Sequence, residues 1–264
     1  MTAGALASAI GRPVRTPIFV VGSGRCGTSL LTDVLSSHPA LIRYPAEAND
    51  LWHPRTYPFD ASGVAEAPIE ADPAAFTTLS ISHWPPGHEK TIARAFAGYR
   101  LLAGRSRTLF VKSSMISFML PAIHRMFPDA KFVHLFRNGP SVVASYMKKN
   151  YGRYRRYAPP EDEYRRRVAR YWNDCVLEIG RAAAELGLVE EGRFHEFSYE
   201  DLCDDPRAEV DRLAVFLEID PRGFGYDLSR ISSTNYKVGA RGDDPEWAEP
   251  LRLMAPAMSA HGYL

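Results

Sequence analysis

The chain has 264 residues, 45% of them apolar and 24% charged, and a formal net charge of +1. That composition supports a packed core and excludes global disorder, and the near-neutral balance gives no overall signal for nucleic-acid or polyanion binding. Three cysteines (Cys26, Cys175 and Cys203) are odd in number and form no C-x-x-C pair, which argues against a disulfide scaffold and for a reducing compartment.

Residues 1–16 read as a flexible leader. The apolar stretch from Ala3 to Ile10 has no Lys or Arg before it and is too short for a secretory core. No run approaches the roughly 20 apolar residues of a membrane span. The expectation is therefore a cytoplasmic protein with no membrane span and no nucleic-acid partner. Oligomeric state is not legible.

Segment 17–22, Pro-Ile-Phe-Val-Val-Gly, predicts a buried parallel strand that ends in glycine. Leu30, Leu31, Val34 and Leu35 fall on one face of a helix over 27–37, which His38-Pro39 ends. Leu41 to Tyr44 predicts a second strand. Residues 45–87 carry many prolines and aromatics and read as loops and short helices. A helix over 89–103, a strand over 108–112, a helix over 116–127 and a strand over 131–136 follow. Next come a helix from Pro140 to about Lys149, an Arg/Tyr-rich helix over 161–185, a strand over 194–197 and a last amphipathic helix over 206–218. This alternation predicts an α/β, three-layer fold: a mainly parallel sheet with a P-loop-type phosphate loop and helices on both faces. One domain is expected over 17–264, with a substrate-binding insertion at about 48–100.

Two motifs carry chemistry. Gly22-Ser23-Gly24-Arg25-Cys26-Gly27-Thr28-Ser29 lies between the first strand and the first helix. Its glycines permit close backbone approach to an anion, and the helix N-terminus aims N–H groups at it. The G-x-x-x-x-G frame is that of a P-loop, but Thr28 stands where a nucleotide hydrolase has its lysine, so phosphate binding is indicated without ordinary hydrolysis. A Gly-rich turn with no ligand is the structural alternative. The second motif is Arg137-Asn138-Gly139-Pro140 at the end of the fourth strand, with Ser145 two helical turns on. An Arg fork and a Ser hydroxyl so spaced can grip one phosphate. A surface arginine and a solvated serine are the plain alternative.

Together these residues resemble the sulfotransferases that use 3′-phosphoadenosine 5′-phosphosulfate (PAPS) and release PAP. Tyr199-Glu200-Asp201-Leu202 with Asp205-Pro206 also resembles a stretch common in that family. The similarity runs from about Ile18 to Leu217 and is weak over 48–100. The resemblance implies that Gly24, Arg25, Cys26, Gly27, Thr28 and Ser29 hold the 5′-phosphosulfate. It implies that Arg137 and Ser145 hold the 3′-phosphate, with Asn138 where Asp is common. Lys237 and Arg241 resemble the late basic loop over that phosphate, or are solvated loop residues.

Cytosolic phenol sulfotransferases carry a histidine after the third-strand lysine; here Lys112 is followed by Ser113-Ser114. The chain is more similar to the protein-tyrosine and bacterial group with a glutamate base. That similarity gives Glu47 the base role, with His53 and His83 in reserve; a loop carboxylate in a surface salt bridge is the alternative. Lys112 is implied to stabilise the leaving oxygen, alongside Arg25, and Ser233 resembles a serine that assists it. No metal-ligand spacing is present among His and Cys, so no metal is expected.

The expected activity is sulfuryl transfer from PAPS to a hydroxyl of a small-molecule, sugar or glycolipid acceptor. A P-loop small-molecule kinase and a non-catalytic nucleotide-binding protein are the alternatives. Trp52, Tyr57, Phe59 and Trp84 suggest an apolar or sugar-stacking cleft, with Tyr146, Lys148 and Tyr151 on its other side. Arg165-Arg166-Arg167 with Arg170 reads as a solvated helix face answered by Glu161, Asp162 and Glu163.

Overall fold

A computed structural model describes residues 16–45, 47, 49–52, 71–73, 77, 84–104, 106–232 and 245–264. The leader and the site candidates His53, His83, Ser233, Lys237 and Arg241 lie outside the described residues, as do Tyr57 and Phe59.

Five strands form one sheet: β1 (Ile18–Val21), β2 (Leu41–Arg43), β3 (Thr108–Lys112), β4 (Lys131–Phe136) and β5 (Phe194–Ser198). Their spatial order is β2-β3-β1-β4-β5. All four pairings are parallel, with Ile18 facing Phe110 on one side and Lys131 on the other. Parallel strands need crossovers, and these supply the covering helices. After β1 the chain turns into α1 (Thr28–Ser36) and moves outward to β2. It then passes α2 (Asn49–Trp52) and α3 (His88–Ala103) before β3. Beyond β3, a 3₁₀ turn (Ser114–Phe118) and α4 (Leu120–Met126) cross to β4 on the other flank of β1.

The period-2 alternation of the strands divides the core into two layers. Phe19, Val21, Leu109, Val111, Phe132 and Phe136 face one way and pack with Ile123 of α4, Trp172 and Val176 of α6 (Glu161–Glu185), and Met254 of α9 (Pro245–Ala260). Ile18, Val20, Phe110, Val133 and Leu135 face the other way, against Leu31 and Leu35 of α1 and Leu213 and Leu217 of α8 (Pro206–Leu217). Between β5 and α8, the short α7 (Tyr199–Asp204) starts with a capping box formed by Ser198 and Asp201.

Four expectations change. The helix expected from Pro140 to about Lys149 is α5 (Gly139–Tyr146), which opens into a π turn over Met147–Tyr151 and one more helical turn, Gly152–Tyr154. Trp52 does not wall a cleft. Trp52 is fully buried, edge-on to Phe19 and Phe96 at 6.1 and 5.7 Å, and its carbonyl accepts from Trp84 Nε1 at 2.7 Å. The last helix is not 206–218 but α9.

Two prolines inside α9, Pro250 and Pro256, hide it from propensity reasoning. Its packing overrides them. Met254, Ala257 and Met258 are buried, and Asn173 Oδ1 of α6 accepts from the Ala257 N–H at 3.1 Å, just after Pro256. The arginine run on α6 is likewise not simply solvated. Arg165 is buried and pairs with Glu246 of α9 at 2.7 Å as well as Glu161 at 3.5 Å. Arg166 and Arg167 meet Asp162 and Glu163 as expected, and Arg167 also meets Asp72.

Asn173→Ala is expected to remove the hydrogen bond to Ala257 N and to lower unfolding free energy by about 1 kcal/mol, measured by urea denaturation. An unchanged midpoint would mean that α9 is not held through this bond.

Candidate active site

The carboxyl ends of the five strands lie along one edge of the sheet, where the chain turns to opposite flanks of β1, the location at which open α/β sheets bind ligands. β1 runs into the loop Gly22–Gly27. Its first residue is clamped from both sides: Gly22 N donates to Ser117 Oγ at 3.0 Å, and that hydroxyl donates to Gly22 O at 3.1 Å. Gly24 N donates to the Tyr171 hydroxyl at 3.0 Å. Arg25 sits at φ 68, a left-handed conformation unusual for a side-chain-bearing residue and common at functional turns.

Two of the loop's glycines are required by aromatic side chains. A Cβ on Gly24 would run into the Tyr146 hydroxyl, and one on Gly27 into the Tyr199 ring. Gly27, at φ 107, is also the N-cap of α1, and α1 has no side-chain cap there. The first-turn amides of α1 thus keep the donors that an anion takes at a helix N-terminus. Ser23 adds a hydroxyl that is fully buried and, among the described residues, has no hydrogen-bond partner. These donors fit a phosphate or sulfate group. Cys26 is fully buried, which pushes its thiol up to about 11, so its place in the loop is through the backbone and not as a thiolate.

The structure joins the two phosphate motifs. Arg25 Nε donates to Ser145 Oγ on α5 at 3.1 Å, and Arg137 leans toward the Arg25 carbonyl at 3.5 Å. Arg137 is buried, and its guanidinium lies 4.7 Å from the centre of the Tyr199 ring. Its carbonyl accepts from Trp172 Nε1 at 3.0 Å, so α6 fixes its backbone. Asn138 caps α5 through Ser141 N at 3.3 Å, which gives the departure from Asp a local function.

On the other side of the loop, Lys112 at the end of β3 forms an ion pair with Glu47, which follows β2. Lys112 is buried, with 7% of its side chain exposed against 34% for Glu47. The carboxylate therefore keeps access to an incoming molecule while its partner is held inside. A cavity of about 210 Å³ runs past both, lined by Gly24, Arg25, Thr28, Ser29, Glu47, Lys112, Ser114, Met115, Tyr146 and Asn150. Of the residues expected to line it, Tyr146 does so. Tyr151 instead packs at a tilt against Tyr164, ring centres 5.2 Å apart, and Lys148 is exposed and outside the lining. Ser114, Met115 and Asn150 were not anticipated. Ser114 and Met115 follow Lys112 directly, and Asn150 arrives through the π turn, a feature common at functional sites. Burial holds the Tyr146 and Tyr171 phenols well above their ordinary range, so both serve as neutral donors and acceptors.

Gly24→Ala is expected to weaken PAP binding about tenfold or more, by forcing the loop and Tyr146 apart. Adding Tyr146→Phe should restore part of the affinity by removing the atom in the way. Calorimetric titration with PAP reads both, and undiminished binding by Gly24→Ala would show that the loop does not need this approach.

Similarity to known proteins follows the same geometry. A family model described as "Sulfotransferase family" matches residues 17–222. The omega-hydroxy-beta-dihydromenaquinone-9 sulfotransferase Stf3 of Mycobacterium tuberculosis is 25% identical over 75% of this chain and 61% of its own length. Nodulation protein NoeE of Sinorhizobium fredii is 24% identical over 88% of this chain and 56% of its own length. The match thus spans under two thirds of these relatives. Among solved structures, a sulfotransferase from Alicyclobacillus acidocaldarius superposes with a TM-score of 0.57 at 20% identity, covering 93% of this chain and 94% of that one. Mouse sulfotransferase SULT7A1 complexed with PAP gives 0.51 at 15% identity, covering 100% and 94%. With the family model matching most of its length, the chain belongs to the sulfotransferase family.

Proposed function

We propose that this protein transfers the sulfuryl group of PAPS to a hydroxyl of a small-molecule, sugar or glycolipid acceptor by in-line displacement. One observation carries the reading: the Lys112–Glu47 pair stands in the wall of the same cavity as the phosphate loop. A base and a cation are thereby held beside an anion cradle, which is the set that sulfuryl transfer requires.

PAPS, when bound, supplies an activated sulfuryl group on a phosphate leaving group. The chain's own groups do the rest. The α1 amides with Ser23, Thr28 and Ser29 hold the 5′ end, and Arg137 and Ser145 hold the 3′-phosphate. Arg25 ties the two halves through Ser145. Glu47 takes the proton of the acceptor hydroxyl. Lys112, buried and fixed by β3, faces the charge that builds on the leaving oxygen, and in a site shielded from water such a charge counts for more.

The relatives support this assignment. The mycobacterial relative is named for a hydroxylated menaquinone, a hydroxyl on a lipid-like molecule, and the mouse structure is named for PAP. Thr28 in place of the hydrolase lysine supports a sulfuryl over a phosphoryl donor.

Glu47→Gln keeps a hydrogen-bond acceptor for Lys112 and removes the base. Turnover with PAPS is expected to fall about 10²–10⁴-fold while PAP affinity stays nearly unchanged; full turnover would move the base role elsewhere. Arg137→Ala is expected to weaken PAP binding roughly 10- to 100-fold and ADP binding far less, because ADP lacks the 3′-phosphate. Equal losses for both nucleotides would overturn the 3′-phosphate assignment.

A further inference from the structure

The segment beyond the cavity wall has a composition unlike the rest of the chain. From Ala130 to Pro160 there is no Asp or Glu. Within it, Lys148-Lys149-Asn150-Tyr151-Gly152-Arg153-Tyr154-Arg155-Arg156-Tyr157 carries five cations and three tyrosines in ten residues, in a chain whose net charge is only +1. All five cations are exposed.

Many arginines elsewhere in this protein meet carboxylates. Arg166 pairs with Asp162, Arg181 with Glu178 and Glu185, and Arg207 with Asp211. Lys148, Lys149, Arg153, Arg155 and Arg156 form no ion pair among the described residues. The segment is nevertheless built. It is the π turn and the helical turn after α5, it is tied to α6 by Tyr151 against Tyr164, and it closes with Tyr157 N and Ala158 N both donating to Tyr154 O at 2.8 and 3.0 Å. Tyr157 is 43% exposed, and the Arg156 guanidinium lies 5.7 Å from its ring centre.

We propose that residues 148–157 dock this protein on an anionic phospholipid surface, with the cavity opening beside the docked face. The row of charge extends on the order of 15 Å, too wide for one phosphate and suited to a layer of headgroups. Clusters of four to eight Lys or Arg bind anionic bilayers through long-range attraction. Tyrosine, with an apolar ring and a polar tip, is the residue type that settles at a lipid–water boundary, and a freely dissolved polyanion would need the cations alone. Asn150, between Lys149 and Tyr151 of the segment, lines the cavity, so docking would bring that cavity next to the headgroup layer. An acceptor held in the bilayer could then be served without leaving it.

The test is flotation of the purified chain with vesicles of phosphatidylcholine containing phosphatidylglycerol, beside vesicles of phosphatidylcholine alone, without donor or acceptor. Binding is expected only to the anionic vesicles and should be reversed by salt. Replacing all five cations by Gln should weaken it about 3 × 10³-fold, roughly fivefold per charge, with PAP affinity and unfolding midpoint retained. Failure of the wild type to float, equal flotation of the five-Gln variant, or binding to soluble heparin with none to the vesicles would each overturn the proposal. Because no transfer step is read, such a failure would leave the sulfuryl-transfer assignment standing.

Discussion

Everything at the site depends on the parallel order of the sheet. Because all five strands point the same way, each delivers its next residues to one edge, in the order of the strands themselves. Glu47 follows β2, Lys112 ends β3, the phosphate loop follows β1, Arg137 follows β4 and Tyr199 follows β5. The edge reads acid, buried ammonium, anion cradle, buried guanidinium and aromatic platform. No side chain needs to reach far, because neighbouring strands lie only about 4.8 Å apart. A mixed sheet would scatter these groups to both ends.

The cost of that convergence is several cations close together. Lys112, Arg25 and Arg137 surround one loop, and two of them are buried. Burying a charge is tolerable only when it is paired and hydrogen-bonded. The fold meets this locally with Glu47 for Lys112, Ser145 for Arg25, and the Tyr199 face and the Arg25 carbonyl for Arg137. Lys112 itself ends a strand, and Ser145 and Tyr199 sit on helices, so the cations are held largely by rigid elements. Electrostatic stabilisation of a developing charge is most effective when the groups need not reorganise.

How much of this is legible in the sequence depends on sequence distance. The loop at 22–29 is readable because strand, glycines and helix are contiguous, and Arg137 because it ends an apolar strand. Glu47 and Lys112 are named by resemblance, and that they touch is a fact of the sheet order. The supports of the loop are invisible for the same reason. Ser117 lies 95 residues from Gly22, and Tyr171 lies 147 residues from Gly24. A tryptophan in a proline-rich stretch looks like a cleft residue, whereas packing against Phe19 and Phe96 makes Trp52 core. Local propensity also concealed α9, whose prolines are offset by burial of Met254, Ala257 and Met258 and by the Asn173 contact to Ala257 N.

Helix α6 therefore has a wider part than its arginine-rich sequence suggests. Tyr171 holds the phosphate loop at Gly24, Trp172 holds the backbone of Arg137, and Asn173 holds α9. Three consecutive residues project at about 100° intervals around a helix, so one turn can reach three different elements. That geometry ties the Gly22–Gly27 loop and the backbone of Arg137 to one rigid rod and sets their separation. The arginines one turn earlier serve the same rod from outside, through Glu246 and Asp72. The spacing between the motifs is in this sense a property of α6 more than of either loop.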